Sequence, residues 1–67
     1  MIDLSPRELE VCRLICKGLS NKEMGRTLGL SARTIEDHRR SLMKKYRVDN
    51  VVLLVRAVYK LDEVAGQ

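Results

Sequence analysis

The chain has 67 residues, 45% of them hydrophobic but only 3% aromatic, and its 13 Lys and Arg against 9 Asp and Glu leave a net charge of +4. So short a chain makes one small domain with little stability in reserve, and a core built from Leu, Val, Ile and Met favours an all-α fold. The basic surplus suits a polyanionic partner but also many ordinary domains, whereas the lack of any membrane-length apolar run or secretory signal excludes a membrane role and points to a reducing cytoplasm.

"LSPRELEVCRLICKG" opens with Ser5 as N-cap, Pro6 at the first helical position and Glu8 three residues after the cap. These are the parts of a capping box, and they predict a first helix over about 6–17. Val11, Cys12, Ile15 and Leu19 share one stripe of it, Leu9 and Leu14 lie off that stripe, and Gly18 is the expected left-handed stop. Cys12 and Cys16 stand one turn apart, a spacing that gives no CxxC redox pair, and the lone His38 leaves any zinc ion short of ligands. Both thiols read as small buried hydrophobes, and neither metal nor cofactor is expected.

Ser20 and Glu23 repeat the capping box for a second helix over about 21–28, with Met24 and Leu28 facing inward and Gly29 ending it. Ser31 caps a third, over about 32–46, on which Ile35, Leu42 and Tyr46 form the apolar stripe flanked by Thr34 and His38. Asn50 caps a fourth, over about 51–61. Its apolar residues cover two stripes, Val51, Leu54, Val55 and Val58 on one and Val52 and Tyr59 on the other, which exceeds what a single core face needs. The polar tail "DEVAGQ" is expected to fray. No repeat, linker or low-complexity tract interrupts the chain, so residues 1–67 read as a single domain of about four helices.

The second and third helices are separated only by "GLS", Gly29 to Ser31, a turn of the length found in a helix-turn-helix, although any two short helices joined at a glycine share that look. A helical wheel breaks the tie. With Ile35, Leu42 and Tyr46 inward, the outer arc carries Arg33, Glu36, Asp37, Arg40, Lys44 and Arg47 and no apolar residue. A solvated face also mixes charges, but the basic excess favours a nucleic-acid surface.

The run "LSPRELEVCRLICKGLSNKEMGRTLGLSARTIEDHRRSLMKKY" resembles the signature of the LuxR-type (GerE or NarL/FixJ) DNA-binding domain of bacterial transcription regulators, and the resemblance extends from about Leu4 to Leu61. The stretch "EDHRRSLMKK" is most similar to the response-regulator branch of that family. The resemblance implies a helix-turn-helix transcription factor that binds double-stranded DNA as a homodimer, with the last helix forming the dimer contact and RNA polymerase as a further partner. It also implies work at the nucleoid and a sensory domain ahead of this one, so that the chain is either an effector domain or a short stand-alone regulator. Two residues depart from the pattern. Gly25 stands where the family usually has Ala, at the closest approach of the second and third helices, and Tyr46 replaces the usual Leu or Met, with its hydroxyl expected to reach water or a phosphate.

On this reading Glu36, Asp37 and Arg40 contact base edges. Lys22, Ser31, Arg33, Thr34, His38, Arg39, Lys44 and Arg47 contact the DNA backbone, where cations and helix N-termini meet phosphates. A carboxylate in the major groove accepts from cytosine N4 but meets only acceptors on guanine, so the two acids sharpen discrimination at the expense of general affinity. They are also expected to pair at i to i+4, Arg33 with Asp37 and Glu36 with Arg40. Lys45 points toward the first helix, where Glu8 is its expected partner. Val52, Val55 and Tyr59 are the expected dimer contacts, setting two recognition helices about one DNA turn apart on an inverted repeat. No nucleophile, base and orienter set occurs, so catalysis is not expected. Two alternatives stay open: a sigma-factor-like promoter-recognition domain, which "PRELEVCRLI" and "GLSNKEMG" also resemble, and a helical protein-interaction module with a basic docking face.

Overall fold

Three serines start three helices. In the computed structural model, which describes residues 2–61, Ser5, Ser20 and Ser31 all hold extended backbone, and each hydroxyl accepts from the amide three residues on. Those bonds, from Glu8, Glu23 and Thr34, measure 3.1, 3.2 and 3.1 Å. Glu8 and Glu23 reach back to the cap amides at 2.9 and 2.8 Å, completing both capping boxes. The helices are α1 (Pro6–Cys16), α2 (Asn21–Leu28), α3 (Ala32–Tyr46) and α4 (Val51–Leu61), and Asn50 Oδ1 caps the last by accepting from Leu53 N at 2.9 Å. The expected fraying tail lies outside the described residues.

The first three helices also end alike. A left-handed residue follows each, Gly18 (φ 87), Gly29 (φ 70) and Arg47 (φ 58). The next amide then bonds a carbonyl five residues back: Leu19 to Leu14 at 3.2 Å, Leu30 to Gly25 at 2.8 Å, Val48 to Met43 at 2.9 Å. This closure satisfies carbonyls the helix leaves open. Because Lys17 is the cap residue, α1 stops at Cys16, one residue before its expected end.

α3 touches each of the other helices and is the axis of the fold. Ile35, Leu42 and Tyr46 meet Val11, Cys12 and Ile15 of α1, Met24 of α2, and Leu54 and Val58 of α4 in one buried cluster. Leu19 and Leu28 are only half-buried at its margin. Cys12 is buried as expected, whereas Cys16 is only half-buried at the edge of the core; burial pushes the Cys12 thiol up to about 12 and raises that of Cys16.

Two expectations are corrected. The oxygen of the Tyr46 hydroxyl is itself buried, so it reaches neither water nor a phosphate, because the ring lies wholly within the core. At Gly25 the close neighbour is not α3 but the turn: a Cβ there would come within 2.5 Å of the Leu30 carbonyl oxygen. Glycine lets α2 and the turn that follows it close tightly, which sets where α3 begins.

Candidate nucleic-acid interface

α3 is anchored from its inner side at two levels. At its C-terminal half, Lys45 Nζ meets Glu8 Oε1 at 2.6 Å, as the sequence predicts, and donates to the Asp3 carbonyl at 2.9 Å. Ser41 Oγ donates to Glu8 Oε2 at 2.6 Å. Glu8 is nearly buried, yet both its oxygens are satisfied, which is the condition for keeping a charge inside a small core. Hydrogen bonds from Lys45 first, then from Ser41 and the Ser5 amide, hold its carboxyl down at about 2.

Midway along α3, Arg39 Nη1 donates to Asn21 Oδ1 at 2.6 Å and ties α3 to the first turn of α2. The Arg39 Nε is buried and has no partner among the described residues. Arg39 is therefore half-buried and turned toward α2 rather than standing with the other bases. Sequence reasoning missed Asn21 and Ser41, because both bonds join residues far apart in the chain and neither side chain belongs to a periodic or capping pattern.

The opposite side of α3 faces solvent. Arg33, Glu36, Asp37, Arg40, Lys44 and Arg47 are all exposed, as are Ser31 at the start of α3 and Lys22 at the start of α2. Thr34 and His38 are half-buried at the edge of this arc, and the Thr34 and Ser31 hydroxyls share a 3.0 Å hydrogen bond. The expected i to i+4 pairs do not form. Side chains on a helix lean back over the preceding turn, and Arg40 meets Asp37 at i to i+3, 3.8 Å away, with side chains 77% and 57% exposed. So open a pair is worth a few tenths of a kcal/mol at most, of the order of 0.5, and leaves both groups available to a ligand. A notch of about 220 Å³ lined by Glu36, Arg40, Met43, Asn21 and Arg39 indents the arc where α3 crosses α2.

Away from this arc, on α4, Val52 is 65% and Tyr59 56% exposed, while Val55 is half-buried. Among the described residues no cluster of His, Cys, Asp and Glu could hold a metal ion, and no helix is long and apolar enough to cross a membrane.

Two short helices set at a glycine turn, with a basic outer arc on the second, match a known family along most of the chain. The family described as "Bacterial regulatory proteins, luxR family" matches residues 3–58. The transcriptional regulatory protein MctR of Rhizobium johnstonii is 44% identical over 59 residues, which are 88% of this chain and 27% of the relative. The transcriptional regulatory protein UhpA of Escherichia coli is 39% identical over 56 residues, 84% of this chain and 29% of UhpA. The oxygen regulatory protein NreC of Staphylococcus carnosus is 40% identical over 57 residues, 85% of this chain and 26% of NreC. The chain thus spans under a third of the length of these curated relatives. No solved structure matches it significantly. The four-helix fold, the helix-turn-helix and the matched residues together make this chain a member of the luxR family of bacterial regulatory proteins, a DNA-binding domain of transcription regulators of the response-regulator type.

Proposed function

We propose that this domain reads double-stranded DNA by laying α3 in the major groove, with Glu36, Asp37 and Arg40 at base edges. Lys22, Ser31, Arg33, Thr34, His38, Lys44 and Arg47 contact the backbone, and Arg39 does so with the guanidinium edge that Asn21 leaves free. The observation that carries the reading is the two-sidedness of α3. Its inner face is fixed by the core and by Glu8, while the charged arc stands clear of the other three helices. A rigid helix presenting polar groups on one side is what base readout needs.

Two copies joined through Val52, Val55 and Tyr59 of α4 bind an inverted repeat in the cytoplasm, at the nucleoid. The domain serves there as the effector of a response regulator, with RNA polymerase as a further partner, and as a regulator rather than an enzyme. The apolar residues left exposed on α4 support the dimer. Selection of bound duplexes from random DNA tests the reading. An enriched inverted repeat with half-sites about one turn apart is expected, and enrichment of no sequence, or of a single asymmetric element, contradicts it.

A further inference from the structure

Arg39 differs from the exposed bases of α3 in having lost its freedom. Its Nη1 donates to Asn21 Oδ1 at 2.6 Å across 18 residues of chain, and its Nε is buried. Both residues are half-buried, so the bond competes less with water than one on the open surface. Arginine carries only donors, so the Asn21 carbonyl oxygen must be the atom that faces it. The planar fork is then held by a bond at Nη1 and by burial at Nε, which leaves Nη2 for a ligand. We propose that Asn21 is a positioning residue for DNA binding, fixing the Arg39 guanidinium in the plane that meets one backbone phosphate. This rests on the contact of Arg39 with the DNA backbone put forward above.

Place and chemistry both favour the role. Asn21 and Arg39 line the notch of about 220 Å³ together with Glu36, Arg40 and Met43, so the fixed guanidinium lies beside the residues proposed to read bases. Asn21 is also the first residue of α2, where open amides and the positive end of the helix favour an anion. An unanchored arginine loses rotamer freedom when it grips a phosphate, whereas Arg39 gives that freedom up on folding, before DNA arrives. The partner's chemistry matters as much as its place. A carboxylate at position 21 would cancel the charge of the guanidinium, while an amide orients it and leaves the charge for the phosphate.

The test is a double-mutant cycle on Asn21→Ala and Arg39→Ala, read as affinity for duplexes of random sequence over a range of salt, since a phosphate contact needs no operator. Arg39→Ala should weaken binding about tenfold and lower the salt slope by about 1. Asn21→Ala removes no charge, yet it should weaken binding about threefold to tenfold when Arg39 is present and not at all in the Arg39→Ala background. In the free protein it should also erase the slowly rotating guanidinium signals of Arg39 while helix content stays the same, because alanine suits the start of a helix. Three results overturn the proposal. Equal losses from Asn21→Ala in both backgrounds would separate it from Arg39, and full affinity with the guanidinium released would leave the bond a purely structural tie. Unchanged affinity and salt slope for Arg39→Ala would remove the backbone contact itself. That failure belongs to the earlier reading and is told apart from the other two, in which Arg39→Ala still costs affinity.

Discussion

Arg47 holds the left-handed conformation (φ 58) at the end of α3, in the place that glycine fills after α1 and α2. A side chain there costs about 1 to 2 kcal/mol, and the turn itself would close as well around glycine. Arg47→Gly should therefore raise stability by about 1 kcal/mol in urea denaturation while weakening binding to all DNA sequences alike. Arg47→Ala should lose the affinity without the stability gain, and equal stability of the two variants would remove the strain. Glu8 makes a pH prediction. Its carboxyl is held from 4.5 down to about 2, so the folded state binds this proton less readily than the unfolded chain. The stabilisation is fully present above pH 4.5 and is lost as pH falls toward 2. The Lys45 side chain is 38% exposed, so solvent discounts the contribution to roughly 2 kcal/mol. Glu8→Gln should be less stable by about that amount at pH 7, and the gap should close near pH 2. A gap that stays constant across this range would show that the charge is not what matters.

At the scale of the helices, boundaries were legible because they are local. Ser5, Ser20, Ser31 and Asn50 announce their caps, and Gly18 and Gly29 their stops, through bonds spanning three to five residues. The end of α3 is anticipated by its apolar stripe but not by its turn chemistry, since nothing in an arginine signals a positive φ. The inner and outer faces of α3 follow from the period of Ile35, Leu42 and Tyr46, and Glu8 to Lys45 follows from placing two helices side by side. Pairing on the exposed arc did not follow. Spacing allows both i+3 and i+4 partners, and rotamers in water choose between them. α4 carries its own prediction: Val52→Asp or Tyr59→Asp, both at exposed positions, should leave helix content unchanged. Each should lower affinity for an inverted repeat about tenfold without changing affinity for a single half-site. Equal losses on both duplexes would mean that these residues do not join two copies.

In the whole molecule, α3 is also the centre of the core, so stability and presentation of the charged arc depend on the same contacts. The net charge of +4 names no binding face by itself, and the notch where α3 crosses α2 escaped the sequence because its lining comes from two helices that no single periodicity describes. Removing Arg40 and removing Lys22 should therefore differ in kind if, as we propose, one reads a base and the other holds a phosphate. The measurement is binding of each alanine variant to the selected duplex and to random duplex, at one salt concentration. Arg40→Ala should lose about 1 to 3 kcal/mol on the selected duplex, much less on random DNA, and relax preference at one base pair, whereas Lys22→Ala should weaken both equally. An identical loss on the two duplexes for Arg40→Ala would contradict the placement of α3 in the groove.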